Sequence, residues 1–159
     1  NRATLKAGKS DERSFFLNQL INKLNSNIKY DFYGYRNKQP IWGDDFYFAL
    51  INSKMGLNLS RGLPTKLYSS NRIASIMGNG LLTFIDKKTE FDKIFNSNEV
   101  ILYNTVRDLS DKINFYKINE KSRIKIAKKG QSKYFALFSE KKISKYIVDK
   151  SLNKATNLF

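Results

Sequence analysis

The sequence predicts an α/β fold, in which a Rossmann-like parallel sheet is flanked by helices and followed by a helical C-terminal tail. Short apolar runs alternate with segments of helical periodicity through the first two thirds of the chain. Two of these runs are almost wholly apolar, as in strands that are covered on both faces. From Val106 onward the pattern is helical with few breaks. Strands separated by helices of about ten residues indicate right-handed βαβ units.

Local periodicity and turn residues predict the individual elements in order. An apolar helical spacing begins after Asp11, which is placed to cap the first helix. A short alternating run over 28–33, ended by Gly34, predicts a strand. The acidic pair Asp44-Asp45 suits the start of a helix over Trp42–Asn52. The remaining predicted elements are a strand over Met55–Leu59, a helix over Ser70–Met77, a strand over Leu81–Ile85, a short helix over Thr89–Phe95, a strand over Val100–Tyr103, and helices over Val106–Ile118, Glu120–Phe138 and Ser139–Asn153.

Length and composition bound the possible functions. The 159 residues, of which 41% are hydrophobic, suit one domain, with the helical tail at about 106–153. The sequence has no Cys and no His, which excludes thiolate zinc sites, cysteine nucleophiles and imidazole triads. The longest uncharged apolar stretch, Ile73–Ile85, is shorter than the roughly 20 residues that a bilayer-spanning helix needs.

The net charge is strongly positive and unevenly distributed. Lys and Arg total 29 against 14 acidic residues, a net charge of +15. Such a balance favours an anionic partner: nucleic acid, anionic lipid or a phosphorylated small molecule. Residues 117–154 hold twelve of the cations and only three acids. On the helix after Glu120, Ile124, Ala127 and Tyr134 are expected to face the body of the domain, opposite a lysine series that comprises Lys121, Lys125, Lys128, Lys129 and Lys133.

Two turns carry candidate ligand-binding residues. In open α/β sheets, ligands bind at the carboxyl ends of strands, where loops lead into helix N-termini. The turn after the strand Met55–Leu59 gathers hydroxyls, an amide and cations that suit a phosphate without metal: Arg61, Lys66, Tyr68, Ser69, Ser70, Asn71 and Arg72. A second turn, Asn79-Gly80, would let backbone approach a ligand closely. Each also has a purely structural interpretation, as a helix N-cap and a helix C-cap.

Several stretches of the central block occur in a characteristic order. Tyr33-Gly34 ends the first strand, and Pro40–Gly43 precedes the next helix. Ser53–Arg61 follows the pattern S-K-I-x-L-N-x-x-R, and Ser70–Thr83 follows S-x-R-x-x-E-x-M-A-C-G-x-x-x-L-T with a slightly shorter tail. The ordered set resembles the C-terminal half of group 1 glycosyltransferases of the GT-B type. Within that group it is most similar to the branch of spore-maturation-like proteins and related surface-polysaccharide enzymes.

The resemblance implies that this chain binds a nucleotide-diphosphate sugar, while an N-terminal half, absent from this chain, binds the acceptor. Arg61 and Arg72 would contact the diphosphate, and the side chains at 69–71 would donate to phosphate or sugar. Asn79-Gly80 would line the sugar or ribose pocket. No cofactor or metal is expected, because cationic side chains and a helix dipole would stabilise the departing diphosphate. Bacterial surface-polysaccharide synthesis, a cytoplasmic location and an inactive isolated domain are expected.

One position departs from the family pattern. Ser75 stands where retaining members typically carry a Glu that holds the ribose hydroxyls, so a non-catalytic relative is one alternative. A basic nucleic-acid-binding module is another, although the aromatic residues lie at apolar spacing, as in a core, rather than on a stacking platform. Peripheral attachment to an anionic membrane through the Lys-rich tail is a further expectation.

Overall fold

Six α-helices, two short 3-10 turns and three strands make up the part of the chain that the structure describes. The structure is a computed structural model and describes residues 12–36, 38–59, 63–68 and 70–156. In chain order the helices and strands are α1 (Glu12–Ile21), α2 (Gly43–Ile51), β1 (Met55–Asn58), α3 (Asn71–Gly78), β2 (Leu82–Asp86), β3 (Ile101–Tyr103), α4 (Val106–Ile118), α5 (Glu120–Phe138) and α6 (Glu140–Ser151).

The three strands form a parallel sheet in the order β1-β2-β3. Leu57 of β1 is in register with Phe84 of β2, which in turn is in register with Ile101 of β3. β2 therefore lies in the middle, and four of its five residues are buried. The largely apolar run at this position predicts a strand covered on both faces. The α/β class with a parallel, Rossmann-like sheet and a helical tail is confirmed.

Alternate residues of the strands pack into two separate cores, one on each face of the sheet. Phe84 and Tyr103 belong to the core that α1, α4 and the first half of α5 cover. Ile85 belongs to the other core, which contains Ile73 and Met77 of α3. The second half of α5 packs against this second core as well. The sheet therefore carries apolar side chains on both faces, as the period-2 alternation of a doubly covered strand requires.

Two glycines permit close contacts between these elements. A Cβ on Gly56 of β1 would lie 2.5 Å from a methyl carbon of Ile76, so α3 packs directly against the strand backbone. A Cβ on Gly130 of α5 would lie 2.2 Å from the carbonyl oxygen of Glu99. Both positions therefore depend on the absence of a side chain.

The predicted strand over 28–33 is wrong. This segment is irregular and forms no ladder with the described strands. Its backbone makes local turn bonds instead: the N–H of Tyr35 donates to the carbonyl of Phe32 at 3.1 Å, and that of Gly34 to Lys38 at 3.0 Å. Phe32 also contacts the rings of Tyr30 and Tyr35. The apolar and polar residues that alternate over 28–33 thus belong to a segment with an aromatic cluster, and they do not lie on the two faces of a strand.

The predicted short helix over Thr89–Phe95 is also wrong. Two 3-10 turns, Lys87–Thr89 and Phe91–Lys93, occupy this region. Glu90 between them has a φ of 55°, in the left-handed region, and this interrupts the helical hydrogen bonding. The predicted cap at Asp11 lies outside the described residues.

The helical tail follows the predicted boundaries, with one helix face assigned incorrectly. Ala127 is buried and Tyr134 is half-buried, whereas Ile124 is 43% exposed and lies among the lysines. The buried stripe of α5 instead runs through Arg123, Ile126 and Gly130. Among the described helices, none combines the length and apolar character needed to cross a membrane.

Candidate functional site

A cavity of about 1160 Å³ lies beside β1. Its walls come from α1, the irregular segment over 27–35, α2, the first turns of α3, and residues of α4 and α5, with Met55–Leu57 of β1 along one side. β1 is the end strand of the described sheet, so β2 pairs with one of its edges only. The carboxyl end of β1 and the start of α3 meet in this cavity, which is where α/β sheets bind ligands.

Arg72 lies in the first turn of α3 and lines the cavity. Its Nη1 donates to the carbonyl oxygen of Leu59, directly after β1, which ties the start of the helix to the end of the strand. The side chain is half-buried. Burial lowers the pKa of the guanidinium, the neighbouring Arg13 lowers it further, and Tyr68 opposes this shift. Among the described residues, no carboxylate forms an ion pair with Arg72.

Arg13 brings a second cation to the same cavity from α1. Only 9% of this residue is exposed, and its charge acts directly on Arg72. Two like charges near each other in a partly buried site disfavour each other, and a bound anion relieves that repulsion. The arrangement can therefore bind a phosphate or carboxylate group, and burial strengthens such a contact relative to one in open solvent.

Aromatic side chains form another wall of the cavity. Tyr30, Phe32, Trp42 and Phe46 line it, the last two from the start of α2. Trp42 is 76% exposed and Tyr30 is 44% exposed. Exposed aromatic faces beside a cationic group suit a flat ring such as a nucleobase or the apolar face of a sugar.

The structure brings only some of the predicted site residues together. Asn71 and Arg72 line the cavity. Tyr68 is half exposed and lies near Arg72, on whose pKa it acts. Ser70 is the N-cap residue of α3, and its Oγ is buried and makes no hydrogen bond with any described residue.

Other predicted residues lie away from the cavity or outside the described part of the chain. Lys66 does not line the cavity and forms an ion pair at 3.0 Å with Glu90, a carboxylate that also pairs with Lys93. Arg61 and Ser69 lie outside the described residues.

The structure places Asn79 and Gly80 at the opposite end of α3 from Arg72. Asn79 donates through Nδ2 to the carbonyl of Ser75 at 2.7 Å, and Gly80 has a φ of 70°. A Cβ at Gly80 would lie 3.3 Å from the side chain of Gln131 on α5. This turn meets α5 and the start of β2, and neither residue lines the cavity.

Sequence reasoning missed Arg13, although a signal was present. Arg13 stands four residues before Leu17 and seven before Leu20, on the apolar stripe of α1. A cation on a buried stripe needs an anionic or carbonyl partner. Arg123 on α5 shows the same pattern: it is 4% exposed, also lines the cavity, and donates to Glu120 and to the carbonyl of Tyr116.

The fold and the cavity define a Rossmann-like domain with a candidate cationic site at a strand end. Comparison with known families agrees with this class. A family model described as glycosyl transferase-like matches residues 12–149, and the chain belongs to that family. No curated protein and no solved structure matches the chain.

Proposed function

We propose that the cavity binds the nucleotide-diphosphate sugar of a glycosyl transfer reaction. The observation that carries this proposal is the pair of arginines, Arg13 and Arg72, which share a cavity and an electrostatic interaction. A diphosphate carries the charge that such a pair selects, and the family membership supplies the type of reaction. In surface glycan synthesis, the acceptor for the sugar would be held by a second, N-terminal domain.

The two guanidinium groups have a defined chemical role in this proposal. Glycosyl transfer breaks the bond between the sugar and the diphosphate, so negative charge grows on the departing phosphate. Forked, charge-assisted hydrogen bonds from Arg72 and Arg13 would stabilise that charge without a metal ion. The N-terminal dipole of α3 points toward the same place and adds to the effect. No described residue of this domain is assigned as the catalytic base.

The aromatic wall and Ser75 would hold the rest of the donor. The rings of Tyr30 and Trp42 offer flat, partly exposed faces for the nucleobase. Ser75 lines the cavity, and its Oγ donates to the carbonyl of Asn71 at 3.0 Å. A serine hydroxyl holds ribose hydroxyls more weakly than a carboxylate does. Transfer activity, measured with an acceptor domain present, distinguishes an enzyme from a non-catalytic member of the family.

Calorimetric titration of the 159-residue chain with uridine and guanosine diphosphates, their sugars and the bare nucleosides tests the proposal. Arg72→Ala is expected to weaken diphosphate binding about 30- to 150-fold, because a charged hydrogen-bonding partner is lost. Binding of the bare nucleoside should barely change. Lys66→Ala is the matched control: it removes a cation that lies outside the cavity lining and is ion-paired with Glu90, and should change affinity by less than about twofold.

Two results would contradict the proposal. Equal losses for diphosphate and nucleoside would show that Arg72 shapes the cavity without contacting phosphate. A variant that melts much earlier, with no ligand-specific loss, would show that its bond to the Leu59 carbonyl is purely structural. Thermal melts of the same samples separate these cases from the expected one.

A further inference from the structure

The last helix, α6, turns an apolar side away from the domain. Ile147, Val148 and Leu152, which follows its last turn, are 57%, 54% and 60% exposed, and none of the described residues of α6 is buried. Its half-buried residues, Ile143, Tyr146 and Asp149, lie on the other side, toward the domain. In an ordinary surface helix the apolar stripe faces inward. In α6 much of it faces outward.

Lysines border this outward face. Lys141 and Lys145 share a helix face with Val148 and Leu152, since the four lie at i, i+4, i+7 and i+11. Lys145 pairs with Asp149 at 3.3 Å, but the Asp149 side chain is only 15% exposed, so its negative charge sits beneath the surface. This face therefore exposes aliphatic carbons and ammonium groups beside the small hydroxyl of Ser144.

The neighbouring helix α5 extends the same combination. Lys121, Lys125 and Lys128 are exposed along one of its faces. Ile124 and Phe135 stand on that face and are 43% and 52% exposed. Each of the two helices thus presents exposed lysines beside large exposed apolar side chains.

We propose that α6, with the exposed face of α5, binds the surface of an anionic lipid bilayer. Interfacial helices combine exposed aliphatic or aromatic residues with bordering lysines, which reach the phosphate groups while the apolar side chains enter the acyl boundary. Each lysine near an anionic surface contributes about fivefold to partitioning. The apolar side chains add a hydrophobic contribution to the binding free energy, which the lysines alone do not provide.

Two other occupants fit this surface less well. A second copy of the chain would bring the same lysines together, and a net charge of +15 on each copy opposes that contact. A nucleic acid would satisfy the lysines through its phosphates but would leave Val148 and Leu152 without an apolar partner. The anionic bilayer matches both the charge and the apolar groups.

Flotation of the 159-residue chain with vesicles tests the proposal. Vesicles of phosphatidylcholine mixed with phosphatidylglycerol should carry the protein, and vesicles of phosphatidylcholine alone should carry much less. The variant Ile147→Ser/Val148→Ser/Leu152→Ser should lower binding to the anionic vesicles at least about tenfold. Lys141→Glu/Lys145→Glu should lower it by a similar factor and weaken its dependence on salt.

Matched controls make the result specific to α6. Ile51→Ser/Leu63→Ser/Ile118→Ser removes three apolar side chains that are at least as exposed but lie elsewhere, and should bind as the wild type does. Lys23→Glu/Arg107→Glu makes the same charge change after α1 and on α4, where both residues are exposed. This control should lose less binding to the anionic vesicles than Lys141→Glu/Lys145→Glu does. Circular dichroism melts show that each variant remains folded.

Three outcomes would overturn the proposal. The wild type could fail to float with anionic vesicles even at low salt. The controls could lose as much binding as the α6 variants, which would indicate nonspecific vesicle binding through the overall charge or overall hydrophobicity of the protein. Alternatively, the chain could bind an oligonucleotide tightly and lose that binding with the lysine variant alone, which would assign the surface to nucleic acid.

Discussion

The two ends of α3 both carry polar residues, Asn71 and Arg72 at one and Asn79 at the other, but their surroundings are very different. At its first end, Asn71 and Arg72 line the cavity next to the carboxyl end of β1. At its other end, Gly78 accepts a hydrogen bond of 2.8 Å from Nε2 of Gln131 on α5, and Gly80 abuts the same side chain. The first end is open to a ligand, and the second is closed by packing.

This difference follows from the direction of the chain in a parallel sheet. Every helix that follows a strand begins at the carboxyl edge of the sheet and returns to the amino edge. Free backbone N–H groups and the positive end of the dipole therefore gather at one edge, where anions bind. The other edge holds the helix ends that must be capped and packed. Substitutions at the two ends should accordingly separate ligand affinity from stability.

The largest expected effect is at the closed end. Gly130→Ala would place a Cβ 2.2 Å from the Glu99 carbonyl oxygen and 3.2 Å from Cε of Met77 in α3. We expect a loss of about 3 kcal/mol in unfolding free energy, because backbone must move to relieve the overlap. A thermal melt should show a Tm lower by about 6–12 °C. Gly78→Ala is the control, since its Cβ would meet nothing within 4 Å; equal Tm values for the two variants would refute the tight contact.

The next effect concerns the open end. Arg13→Gln should weaken diphosphate binding about tenfold by removing a buried cation that lies near Arg72 in the cavity. In a double-mutant cycle with Arg72→Gln, the combined loss should differ from the sum of the single losses by at least about 0.5 kcal/mol, since both groups act on one anion. Arg107→Gln, on the exposed side of α4, serves as the control in the calorimetric titration. Strictly additive losses would mean that the two arginines act independently.

A smaller effect is expected from the hydrogen bond that closes the second end. Gln131→Ala removes the bond to the carbonyl of Gly78, which should lower stability by about 1 kcal/mol, or about 2–4 °C in Tm. Diphosphate affinity should not change, because the bond lies a helix length from Arg72. Ser132→Ala at the neighbouring exposed position is the control in both measurements. A loss of affinity with Gln131→Ala would show that the two ends are coupled.

The smallest expected effect tests the placement of Asn79. Its side chain is exposed and bonds only within α3 among its described contacts. Asn79→Ala should therefore change stability by no more than about 0.5 kcal/mol and diphosphate affinity by less than about twofold. Calorimetry and a thermal melt measure the two quantities. A clear loss of affinity would return Asn79 to the donor site, where the sequence pattern had placed it.

Much of the fold could be predicted because it is encoded locally. The buried strand β2 and the long helices α4 and α5 follow directly from apolar periodicity, and their observed bounds lie within a residue or two of the predicted ones. The segment over 28–33 could not be assigned in the same way. Whether its aromatic residues pair in a sheet or cluster with one another depends on contacts distant in sequence.

The candidate site was predictable only in part, for a similar reason. Arg72 was identified because a strand, a loop and a helix start are contiguous in sequence. Arg13 comes from α1, and only the folded chain brings it beside Arg72. The sequence predicts Asn79-Gly80 as a ligand turn because its glycine permits close backbone approach. The structure places this turn at the other end of α3, against Gln131 and outside the cavity that Arg72 lines.

The position of Trp42 gives the cavity its own optical signal. Trp42 is the single tryptophan of the sequence, and it lines the cavity with 76% of its surface exposed. Indole emission from this protein therefore arises entirely from one wall of the ligand site, with no background from a buried indole elsewhere. A molecule that enters the cavity and covers the ring would change both the intensity and the wavelength of that emission. Occupancy can thus be followed in the unlabelled chain, and its time course can be recorded directly after mixing.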